Sequence, residues 1–161
     1  LSKKQKVKTS TLNVWLGNLA DFLARHMKLN EFKKAQLEAD LKTAQMDVLS
    51  TENARRAYEY AYEHRGFFGQ LPAHAGQNSF RETFITWLEN AYYAKLIGDE
   101  MDDDERLYRK LSIDIFAIGI TNQFLDWCSA GFSWPLDTLL KAQEAALPEF
   151  AKQAISAGEP N

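Results

Sequence analysis

Apolar residues recur three and four positions apart along nearly the whole chain, and no segment alternates with period two while being rich in β-branched residues. The pattern predicts an all-α fold, a helical bundle of about six or more helices. Leu12, Trp15, Leu16, Leu19, Phe22, Leu23 and Met27 mark one face of a helix near 11–28, with Ser10 and Thr11 as suitable N-cap residues. Asn30 is placed to cap a second helix whose inward face is Phe32, Leu37, Leu41, Ala44 and Val48. Glu31, Lys33, Lys34, Glu38 and Lys42 are left for its solvent side.

After Ser50 and Thr51 a third helix carries Ala54, Ala57, Tyr58, Ala61 and Tyr62 on one side and stops at Gly66. Glycines and a proline between 66 and 76 predict a break that at most retains a short helical turn. Ser79 and Glu82 form a capping box for a helix with Phe80, Phe84, Trp87, Leu88, Ala91, Tyr92 and Leu96 inward, and Gly98 is placed as its C-cap. The next helix spans about 103–129, and its middle, from Leu111 to Leu125, is apolar nearly all round. Such a helix is either central or shared with a partner. Gly131 ends it, Ser133 caps the next, and Pro135 suits a first turn. Leu136, Leu139, Leu140, Gln143, Ala146, Leu147 and Phe150 then form the last helical face, which Pro148 should kink or fray.

A chain of 161 residues with 45% hydrophobic and 25% charged residues is long enough for one core and ordinary enough in composition to exclude disordered and collagen-like classes. The longest apolar run, Ile115 to Ile120, is far short of a membrane helix, so no membrane partner is expected. The chain opens at Leu1 without an initiator Met or an apolar signal core, which fits residues having been removed ahead of it. One cysteine, Cys128, suits a reducing compartment, and a cytoplasmic location is expected. Charge divides unevenly: residues 1–34 carry a balance of +6 and residues 35–161 a balance of −9. An acidic body offers no electrostatic footprint for nucleic acid, and Lys3, Lys4, Lys6 and Lys8 read as a solvated tail. The chain is expected to divide into a basic N-terminal tail with helices, 1–49, and a helical domain, 50–161.

Residues with reactive chemistry do not assemble into a recognisable set. The acidic run Asp99 to Glu105 lacks the Gly and Glu positions of a calcium loop and reads as a solvated complement to the following helix's dipole. His26, His64 and His74 lack metal-ligand spacing, and His64 is better placed to bond the free carbonyls of a helix end. Cys128 reads as a small buried hydrophobe. No metal, no cofactor and no enzymatic activity are expected. A helix-turn-helix fails on its turn positions: taking Ala24 as the small residue puts Lys28 and Lys34 where Gly and an apolar residue belong, and taking Ala20 puts Ala24 and Asn30 there.

Aromatic content is the remaining signal. Tyr58, Tyr62, Phe84, Trp87 and Phe116 project inward from three predicted helices, and Tyr and Trp bring polar ends that can orient a ligand in an apolar pocket. Asn122 and Gln123, set in an apolar helix, suit the same use. The segment Tyr58-Glu59-Tyr60-Ala61-Tyr62-Glu63-His64-Arg65-Gly66-Phe67-Phe68, the capped aromatic helix from Ser79, the long apolar helix, the Gly turn and the Ser-Trp-Pro-Leu start of the last helix resemble the C-terminal effector-binding and dimerisation domain of TetR-family transcriptional regulators. The resemblance covers about residues 50–150. It implies a homodimer formed through the last two long helices, a small hydrophobic effector, and DNA contact only through a three-helix unit that is missing or unrecognisable here.

Two functions follow as expectations. The first is a ligand-sensing, dimerising regulatory domain with Phe116, Ile120, Phe124, Trp127, Leu136, Leu140 and Leu147 at a two-fold interface. The alternative is an α-helical protein-interaction or scaffold domain without DNA binding, whose apolar helices pack on another chain.

Overall fold

The computed structural model describes residues 8–73 and 77–158. Among the described residues there are α-helices and one 3₁₀ turn, and no strand. The helices are α1 (Thr9–Met27), α2 (Glu31–Met46), α3 (Thr51–Glu63), α4 (Arg65–Phe68), α5 (Gln77–Leu96), α6 (Asp103–Ser129), α7 (Leu136–Ala146) and α8 (Glu149–Gly158), with the 3₁₀ turn at Leu71–Ala73. The expected bundle is thus all-helical. No helix among the described residues is long and apolar enough to cross a membrane. Lys3, Lys4, Lys6 and His74, and the side chain of Ser79, lie outside what is described.

Local signals set most boundaries. Asn30 accepts the Lys33 backbone N–H at 2.8 Å, Ser50 accepts that of Asn53 at 3.3 Å, and Asp102 accepts that of Glu105 at 2.8 Å, each satisfying a helix-start donor that has no carbonyl partner. Asp103, Asp104 and Glu105 fill the first turn of α6, where the helix dipole favours negative charge. His64 bonds the Tyr60 carbonyl through Nδ1 at 2.9 Å, closing α3 as a C-terminal cap. The break after it keeps one short helix, α4, before the 3₁₀ turn.

Other boundaries differ from the expectation. Lys8, not Ser10 or Thr11, stands at the start of α1, and it makes no side-chain cap bond. Helix α5 begins at Gln77, so Ser79 lies inside its first turn. Gly98 does not adopt the left-handed conformation of a C-cap. Instead Arg109 donates to the Leu96 carbonyl at 2.7 Å and Arg106 to that of Gly98, so two cations from α6 cover the negative end of α5. Pro135, not Ser133, precedes α7, while Ser133 Oγ donates back to Ala130 at 2.8 Å. Pro148 separates α7 and α8 outright, because its ring removes a donor and excludes the next turn.

One hydrophobic core joins all of these elements. Leu19 and Phe22 from α1, Leu37 from α2, Tyr58 from α3, Phe80 and Trp87 from α5, Ile113 and Trp127 from α6, Leu139 from α7 and Phe150 from α8 belong to it. Helix α1 packs mainly on α5 and α2, and α5 also on α6. The division at residue 49 falls in the turn before α3, yet both helices ahead of it supply core residues. Phe32, expected inward, is 70% exposed, since α2 turns Leu37 and Gln45 to the core and leaves its first turn outside.

Candidate ligand cavity

Where α1, α2, α3, α5 and α6 meet, their side chains line a partly open cavity of about 470 Å³, within the range of small-molecule sites. Tyr58, Phe84 and Trp87 all line it, so three of the five rings expected at a ligand site come together. Tyr58 is held edge-on against Phe124 at 5.6 Å and Trp127 at 5.3 Å between ring centres. Phe84 stacks on Phe80 at 5.5 Å and continues to Trp87 at 5.8 Å. Leu19 and Leu23 of α1, and Leu37, Leu41 and Ala44 of α2, close the other side.

The remaining two rings are elsewhere. Tyr62 is 47% exposed at the end of α3, with its ring edge-on to Phe132 and the Arg65 guanidinium 4.6 Å above it. One turn beyond Tyr58 the helix is running out, and the nearest aromatic partner is the α6–α7 turn. Phe116 packs edge-on against Tyr92 at 5.6 Å, and it is Tyr92, not Phe116, that reaches the cavity.

Polar groups on the inner wall of the cavity are few, and two of them are tied to buried amides. Trp87 Nε1 donates to Gln45 Oε1 at 2.9 Å in a buried bond. The Tyr58 hydroxyl accepts from Gln143 Nε2, which also donates to Gln123 Oε1 at 3.1 Å, so one amide ties α3, α6 and α7 together. Burial pushes the Tyr58 phenol up to about 12, and Gln143 only partly offsets this. Tyr92 is raised by burial as well. Both therefore stay neutral at physiological pH. Charged residues, Asp40, Arg56, Glu59 and Glu63, belong to the exposed rim.

Gln45 and Gln143 were not among the expected site residues. Their signal was present: each is an amide on the inward stripe of an amphipathic helix, Gln143 one turn after Leu139 and Leu140, Gln45 beside Ala44. An amide at such a position needs a buried partner, although its identity depends on tertiary packing.

Among the expected interface residues, Phe124, Trp127 and Leu140 are buried within the chain's own core, and Phe116, Ile120, Leu136 and Leu147 pack partly against it. The apolar face that α6 leaves to solvent is the opposite one. Leu107, Leu111, Ile115 and Ile118 form an exposed stripe at helical spacing, flanked by Tyr108, with Ile115 74% exposed. The physical reason is that α6 is apolar on both sides, and periodicity does not say which side the rest of the chain covers.

Two further groups sit away from the cavity. Glu89 and Asp114 meet between α5 and α6, where burial first and then the Asp114 carboxyl push Glu89 up to about 7, partly opposed by Lys110. Tyr93 donates to the same Asp114, and Lys110 lies 3.0 Å from it. Cys128 is buried, and burial pushes its thiol up to about 12, which leaves it unreactive. No group of three or more metal-binding side chains occurs among the described residues.

No family model, curated protein or solved structure matches the chain.

Proposed function

We propose that the chain is the ligand-sensing, dimerising domain of a TetR-like transcriptional regulator acting in the cytoplasm. The observation that carries this reading is the cavity lined by Tyr58, Phe84 and Trp87, mainly apolar inside, with few polar groups and with its charges at the rim. A small hydrophobic effector would favour the helix arrangement that holds the cavity, and that preference would pass to a DNA-reading unit outside the recognisable part of the chain. The exposed α6 stripe supports the dimer. In a two-fold pair Leu107, Leu111, Ile115 and Ile118 would meet their own copies, removing from water an apolar face that the single chain leaves open.

The same stripe favours a second reading, an α-helical interaction domain that docks on another protein through α6. Thermal-shift screening of the purified chain against small hydrophobic compounds separates the two. Saturable stabilisation that grows with compound concentration supports the sensor, since ligand bound to the folded state raises stability by mass action. The absence of any shift across such a library supports the interaction domain.

A further inference from the structure

The Tyr58 hydroxyl is a cavity group with spare capacity. It accepts one bond from Gln143 Nε2, and the same NH₂ serves Gln123 Oε1 at 3.1 Å, which sets the amide's orientation. A phenol that accepts still has its own hydrogen to donate, and among the described residues no acceptor takes it. Its ring is fixed between Phe124 and Trp127, so the hydroxyl is positioned rather than swinging. Of the other interior donors, Trp87 Nε1 is already used by Gln45, and the Tyr92 hydroxyl, which also reaches the cavity, has no bond to α7 among the described residues.

Gln143 is also a structural link. Helix α7 packs on α3, through the buried Gln143–Tyr58 bond inside and an exposed Arg55–Asp137 ion pair outside. Exposed ion pairs contribute little to holding two elements together. The buried bond is therefore the polar contact on which the α3–α7 fit depends, and one end of it is in the cavity.

We propose that the cavity takes a neutral, mainly aromatic or apolar molecule bearing one hydrogen-bond acceptor oxygen, that Tyr58 donates to that oxygen, and that Gln143 carries the event to α7. This rests on the cavity being a ligand site. A hydroxyl that donates becomes a better acceptor, so a ligand oxygen on Tyr58 strengthens the bond from Gln143. The α3–α7 junction then tightens on binding. A charged ligand does not fit this scheme, because no charged side chain faces it inside and its desolvation would go uncompensated.

The test compares 2-acetylnaphthalene with 2-isopropenylnaphthalene, molecules of similar size in which a methylene replaces the carbonyl oxygen. Affinities are measured by calorimetry, and α7 is followed by amide hydrogen exchange in wild type, Tyr58→Phe and Gln143→Leu. In wild type both compounds bind, and only the ketone slows exchange in α7 beyond the effect of the hydrocarbon. Tyr58→Phe weakens the ketone roughly three- to tenfold, the loss of one net hydrogen bond, and leaves the hydrocarbon within about twofold. Gln143→Leu weakens ketone binding less than Tyr58→Phe does, because the coupling is reciprocal, and abolishes its specific effect on α7. Equal losses for both compounds in Tyr58→Phe, or a ketone effect on α7 that survives Gln143→Leu, overturn the inference while the ligand site stands. If neither compound binds wild type, the ligand-site reading falls and takes the inference with it.

Discussion

At the scale of single residues, buried polar groups are where small changes have large effects. Trp87→Phe keeps an aromatic ring of similar shape but leaves Gln45 Oε1 buried without its donor. It should cost about 1–3 kcal/mol, and adding Gln45→Leu should recover most of that, because removing both partners avoids the unpaired oxygen. Urea unfolding of the two variants checks this. Glu89 behaves in the opposite sense to most carboxylates. Its folded-state value, about 7, lies above the ordinary 4.5, so the folded protein binds more protons than the unfolded chain in that window. The stability from its protonated form is complete at the acidic end and is lost as pH rises through about 7. Glu89→Gln cannot ionise, so its stability relative to wild type should increase between about pH 5 and about pH 8 and then level off. A flat difference across that range would contradict the assignment. The residues behind both effects were only partly legible in the sequence. Trp87 stands on a clear inward stripe, but which amide meets it, and which carboxyl lies across from Glu89, are set by how helices far apart in the chain come together.

At the scale of elements, type and approximate extent follow from periodicity and capping residues, and ends follow from contacts that periodicity does not contain. Helix α6 is predicted over about 103–129 and spans Asp103–Ser129, because Asp102 and Gly131 are strong local signals at its two ends. The end of α5 is different: its carbonyls are covered by Arg106 and Arg109 from the next helix instead of by Gly98. Arg109 also pairs with Glu105 at 2.7 Å and lies 4.7 Å above the Phe150 ring, so it joins α5, α6 and α8. Arg109→Ala should destabilise the chain by about 1.5–3 kcal/mol, the range for hydrogen bonds to charged groups, with faster amide exchange at the end of α5. Arg109→Lys should restore only part of this, since one ammonium does not reproduce the fork of the guanidinium. The same limit of periodicity explains the two faces of α6. Phe124 and Trp127 looked as suitable for a partner as Leu111 and Ile115 do, until α3 and α5 cover the first pair.

At the scale of the whole molecule, one core built from every helix surrounds a cavity, and one apolar face is left outside. The face predicts association. Ile115→Glu should convert a homodimer to a monomer in sedimentation at tens of micromolar, an order-of-magnitude working range for weak interfaces, with little change in monomer stability because Ile115 is 74% exposed in the single chain. Wild type that sediments as a monomer under those conditions contradicts the dimer. The cavity predicts ligand binding, and that is the central claim. The most direct test is calorimetric titration of 2-acetylnaphthalene into wild type and into Ala44→Trp, which fills the cavity from α2 at a half-buried position. Saturable one-site binding to wild type, lost in a folded Ala44→Trp variant, is the predicted result; undiminished binding to the filled variant, or none to wild type, would contradict it.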